Sequence, residues 1–260
     1  MFTSNPFAEL SASISATVMQ TYVVVMIILV VAGTLFDVVH KKSAKFFFQN
    51  WRKAKSQGTD VGAGETVSVA VQTAAIDAMM SGEFCNPRRR IAHLLAMYGF
   101  LIYAVTTTVM VFGYAAPEAA TPAILPQLWY AGALMVCLGG YWFWFFIRVD
   151  VVAEGHSPLR IVRADFFILS LLASVTLGLI WAILQAAGSS WTTVFLGAYI
   201  LATTVLFGSV PWSKFSHMFF KPAAAFEKRM SKANGTRSNL PAPSDNPATF
   251  GSTRSQPNHY

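Results

Sequence analysis

Five stretches of this chain stay apolar for about twenty residues at a time, and that pattern limits the fold more than any other feature. They cover approximately 18–39, 92–113, 128–147, 165–186 and 192–212. Roughly 20 helical residues are needed to cross a hydrocarbon core about 30 Å thick, whereas core helices of soluble proteins carry shorter apolar runs. The only charged residues within the five are Asp37 and Asp165, each near an end of its stretch. The expected fold is therefore all-α: an integral membrane bundle of five transmembrane helices. Composition agrees, since 12% of the 260 residues are charged, against about a quarter in a soluble domain.

The basic residues then orient the bundle. All 19 Lys and Arg fall in 40–91, 148–164 and 213–260. The N-terminal segment, the 114–127 loop and the 187–191 turn hold none. Positive charge is retained in the cytoplasm, which predicts the N-terminus outside and the C-terminus in the cytoplasm of a multi-pass protein of the cytoplasmic (inner) membrane. The formal charge of +7 is thus a topological signal, and no nucleic-acid-binding motif accompanies it. The N-terminus lacks the basic n-region of a cleaved signal peptide, so the first helix reads as an uncleaved anchor.

Three regions follow: a short outer segment, 1–17; a membrane domain, 18–232, with a long cytoplasmic loop at 40–91; and a disordered cytoplasmic tail, 233–260. The loop begins "HKKSAKFFFQNWRKAK", a pattern suited to a helix on an anionic inner leaflet. After the break "GTDVGAGE", the stretch "TVSVAVQTAAIDAMMSGEF" predicts about four helical turns that re-enter the membrane edge or pack on a partner. The tail, rich in Ser, Pro and Asn, has too little apolar surface to order itself. Cys85 and Cys137 have no iron–sulfur spacing.

The histidines are His40, His93, His156, His217 and His259, and the predicted topology puts all five on or near the cytoplasmic side. His93 stands at the start of the second helix, behind Arg88, Arg89 and Arg90. His217 stands at the end of the fifth, if that helix continues past Pro211. A haem b iron in a bundle takes two axial ligands from facing helices at one depth, and His93 with His217 meets that requirement. Nearby arginines suit haem propionates. Equally, histidine tolerates a membrane interface and needs no ligand to be there. His40, after Asp37, and His156, after Gly155, fit that simpler description, and His259 lies in the tail.

"RRRIAHLLAMYGFLIYAVTT" and "VPWSKFSHMFFKP" resemble the cytochrome b subunits of the nitrate reductase gamma family, most clearly over helices two to five. Among these, the short chain without an iron–sulfur domain is most similar to the subunits that anchor dissimilatory adenylylsulfate (APS) reductase. The resemblance implies two haem-ligand pairs between helices two and five. His93 and His217 match the inner pair. Tyr103 and Tyr199 stand where the outer pair would be, and tyrosine is not a usual haem b ligand, so the resemblance implies one inner haem at most.

The function so implied is that of a membrane anchor and electron-transfer subunit linking a cytoplasmic adenylylsulfate reductase to the quinone pool in sulfur metabolism. Its partners would be the reductase's flavin and iron–sulfur subunits, membrane lipid and quinone. It is a non-catalytic subunit of an oxidoreductase complex, with no catalytic residue of its own apart from a quinone redox site. A structural anchor without a redox cofactor, and a cytochrome b subunit of another quinone-interacting oxidoreductase, fit the same pattern. A transporter would place ionisable groups along a pathway within the spans, and a soluble enzyme would need a phosphate-binding loop, nucleophile elbow or metal motif. Neither pattern is present.

Overall fold

The computed structural model describes residues 2–40, 45, 47–49, 51–52, 56, 58–82, 84, 86–116, 118–148, 161–162, 165–212 and 217–236. Among these the chain is all-helical, with 79% helix and no strand. The helices are α1 (Pro6–Leu10), α2 (Ala16–His40), α3 (Ala63–Gln72, continuing as a wider π-helical coil over Thr73–Met79), α4 (Pro87–Gly113), α5 (Ile124–Trp142, continuing as π-helix over Phe143–Ile147), α6 (Phe166–Ala186), α7 (Thr192–Gly208) and α8 (His217–Ala233).

Four of them are long and apolar enough to cross a membrane: α2, α4, Ile124–Ile147 and α6, with 25, 27, 24 and 21 residues. The fifth apolar stretch forms α7, which has 17 residues. The expected fifth span, 192–212, is therefore shortened. Residues 209–212 are turns. Pro211 has no N–H to give to the Phe207 carbonyl and its ring crowds that turn of helix, so the coil cannot continue through it. His217 consequently does not end the fifth helix. It opens a separate amphipathic helix, α8, which the sequence reading missed. The start of α4 is set locally. Asn86 caps it, its side chain accepting from the Arg88 N–H at 2.9 Å, and Pro87 occupies the first helical position.

Helices α4 and α5 form the tightest pair. A Cβ on Gly99 would lie 2.7 Å from the Gly132 carbonyl oxygen, and one on Gly132 would lie 2.8 Å from that of Gly99. Lipid tails are as apolar as leucine, so close backbone approach over small residues is the means of association left to membrane helices. Helix α6 packs on α5 and α7. Helix α2 is the loosest, with Ile28, Val31 and Leu35 more than half exposed on its outer face. It is tied to α7 by Tyr22, whose hydroxyl donates to the Ile200 carbonyl at 3.1 Å. The largest side chains sealed in the interior are Trp129 and Trp181, both 0% exposed. An exterior this apolar is compatible with contact to membrane lipid.

The two ends of the bundle differ. At one, α1 closes over the helices. Asn5 donates to the Tyr114 carbonyl at 2.9 Å, Gln185 donates to the Pro6 carbonyl at 2.7 Å, and Phe7 packs on Trp129 and Trp181. Among the described residues, this end has no Lys or Arg. At the other, α3 and α8 pack together. The Arg229 guanidinium donates to both Asp77 carboxylate oxygens, at 2.5 and 3.2 Å. Trp51 stacks on Phe226 with ring centroids 5.4 Å apart. The sequence left open whether the 66–84 stretch re-enters the membrane or packs on a partner. It packs on α8 of the same chain and lies along the first turns of α4.

Candidate functional site

At the basic end, the chain leaving α3 folds back onto α4. The Met80 carbonyl accepts from Arg90 Nε at 2.8 Å, and the Met79 carbonyl accepts from the Tyr98 hydroxyl at 2.8 Å. Ser81, the next residue, holds a positive φ of 51°, a left-handed conformation that is uncommon for a residue with a side chain. It is 2% exposed, and its Oγ lies 2.9 Å from Nδ1 of His93. The turn therefore positions the imidazole. The Phe84 ring packs against His93 with centroids 4.9 Å apart, and Lys221 Nζ lies 5.5 Å from the centre of the Phe84 ring.

This geometry bears on the expected ligand pair. Histidine ligands characteristically engage the second ring nitrogen in a hydrogen bond, which fixes tautomer and orientation. The Ser81 contact engages Nδ1 of His93, so a ligand role would fall to Nε2. His217 begins α8, one helical turn before Lys221, and its side chain lies outside the described residues. Among the described contacts, α8 reaches His93 through Lys221 and Phe84. No group of three or more metal-ligating side chains occurs among the described residues. His156, His259 and the 149–160 loop lie outside them. His40 stacks on Phe36, one turn back in α2. Nearby, Asp77 raises the pKa of Arg229 by hydrogen bonding to the guanidinium. Arg148 donates to Asp165 at 2.9 Å through Nε, a buried ion pair between the ends of α5 and α6.

The positions of the outer pair meet directly. Tyr103 on α4 and Tyr199 on α7 are 7% and 9% exposed, and the Tyr103 hydroxyl donates to that of Tyr199 at 2.8 Å. Contact this close leaves no space between the two side chains for a macrocycle. Gly178 on α6 makes room for them, since a Cβ there would fall 2.8 Å from the Tyr103 hydroxyl. Trp129 packs on Tyr103 and donates to Thr107 Oγ1 at 2.9 Å, and Trp181 stacks on Tyr199.

Beside this pair lies a cavity of about 600 Å³ between α2, α4, α6 and α7. Its wall is overwhelmingly apolar. The polar groups reaching it include Tyr103, Tyr199, Ser174, Thr203 and the indole of Trp181. Sequence reasoning did not single out Ser81, Phe84 or Trp181. Ser81 could have been suspected from its place before "NPRRR"; nothing separates Trp181 from the other apolar residues of its stretch. Comparison with known proteins adds no relative, for no family model, curated protein or solved structure matches the chain.

Proposed function

We propose that this chain is the membrane anchor and electron-transfer subunit that links a cytoplasmic adenylylsulfate reductase to the quinone pool. The chain crosses the inner membrane five times, N-terminus outside and C-terminus in the cytoplasm. Helix α7, rising about 26 Å at 1.5 Å per residue, is the short fifth span, within the range of roughly 17–25 residues that cross a bilayer. The observation that carries the reading is the contrast between the two ends: one closed by α1, where the described residues include no Lys or Arg, the other basic and built up into the folded α3–α8 pair. Basic groups there attract anionic lipid and steer an acidic partner. The flavin and iron–sulfur subunits dock on this platform and supply the chemistry. Deleting the chain tests it: the reductase should leave the membrane fraction, and unchanged retention would rule the anchor out.

His93, oriented by Ser81, and His217 are the proposed axial ligands of one inner haem b, which would carry single electrons between the partner and quinone. The reduced-minus-oxidised b-type spectrum of the assembled complex should disappear in His93→Ala and in His217→Ala. A complex without that spectrum removes both residues as ligands and leaves the anchor. The Tyr103–Tyr199 contact favours a second reading, a structural anchor with no redox cofactor, because it fills the other ligand position.

A further inference from the structure

The cavity beside Tyr199 is bounded on one side by the loosely packed α2. Val18, Ile27 and Val31 line it and are each about half exposed or more, so it reaches the apolar surface of the bundle along that helix. A molecule dissolved in lipid can enter without crossing water. Apolar cavities of 300–1,000 Å³ with a few convergent polar groups are the ordinary form of a small-molecule site.

Two hydrogen-bond donors at its wall have no acceptor among the described residues. The Trp181 side chain is 0% exposed and its Nε1–H has no partner. Buried donors are seldom left so, because each costs about 1–3 kcal/mol when unsatisfied. The Tyr199 hydroxyl accepts from Tyr103, and its own proton has no acceptor among the described contacts. The two rings stack 5.7 Å apart, 16° from parallel, so both donors belong to one region. Ser174 and Thr203 differ, since they hydrogen-bond each other and Thr203 donates to the Tyr199 carbonyl.

We infer that this cavity is a binding site for a lipid-soluble ring ketone with an alkyl or isoprenoid tail, a quinone, whose carbonyl oxygen accepts from Trp181 and Tyr199. The tail runs along α2 past Val23 and Met26. The inference rests on the quinone-linked function proposed above and locates the quinone ring at the Tyr199–Trp181 level, away from His93. An acyl chain could fill the apolar part but has no acceptor for either donor.

The test uses the full chain in phosphatidylcholine nanodiscs and a photoreactive azido-benzoquinone with a decyl tail. Labelling of α2, α6 or α7 should saturate, and decyl benzoquinone should compete while dodecane, which has no acceptor, does not. Trp181→Phe, which removes the donor together with one ring, should weaken competition about five- to tenfold, the worth of one hydrogen bond, with Tyr199→Phe, which removes only the hydroxyl, acting in the same direction. Ala104→Phe, which fills the cavity, should abolish labelling. Equal competition by dodecane, labelling that never saturates, or unchanged affinity in both Trp181→Phe and Tyr199→Phe would overturn the assignment. The isolated chain suffices, so failure here leaves the docking reading standing, and loss of docking leaves this result standing.

Discussion

A hydroxyl in the middle of a membrane bundle has to find its partner within the protein, because lipid offers none. Tyr103 and Tyr199 solve this together, and Gly178 gives them room. Tyr103→Phe should cost about 0.5–1 kcal/mol, the usual worth of an interhelical hydrogen bond in a membrane, read as a lower melting temperature in detergent. Gly99→Leu should be far worse. Its side chain would meet the Gly132 carbonyl, part α4 from α5 and prevent recovery of a monodisperse protein. The sequence singled out positions 103 and 199 only by their spacing from His93 and His217. Their mutual hydrogen bond was not legible there, because spacing along two helices does not fix rotation about either axis. Trp181 was invisible for a related reason: an indole in an apolar run looks the same whether its N–H is paired or orphaned.

At the scale of elements, long apolar runs identify themselves, and the four long helices follow the sequence closely. The exceptions are at the ends. Pro211 stops α7, and α8 forms from "HMFFKPAAAFEKRMSKA", a stretch of mostly good helix formers after Pro222 that the charge pattern alone marked only as basic. The partner of α3 could not be read because the contact joins residues more than 150 positions apart, Asp77 and Arg229. With side chains 13% and 28% exposed, this pair is partly screened, and Asp77→Ala should cost about 1 kcal/mol. The expected signature is local: faster amide exchange over residues 63–79, with α4 to α7 unchanged. If exchange there is unaltered, the Arg229 contact does not hold α3 in place.

For the whole molecule, the uneven distribution of charge between the ends translates into an orientation that labelling can check. In intact cells, an impermeant maleimide should reach a cysteine placed at Ser189, in the turn between α6 and α7, and should miss one at Lys228 on α8. The reverse pattern would invert the bundle and put the α3–α8 platform on the wrong side for a cytoplasmic partner. The all-α membrane class was legible from hydropathy; the platform was not, since its packing depends on tertiary contacts between weakly apolar helices. The proposed function joins platform and bundle: the chain would hold adenylylsulfate reductase at the membrane and open it to quinone. Proteoliposomes containing the full chain and a benzoquinone, mixed with the soluble reductase, sulfite and AMP, measure both parts together. The account predicts that the reductase floats with the vesicles and that quinol forms only when the chain is present. A reductase that stays in solution, with quinol no higher than in chain-free vesicles, would contradict it.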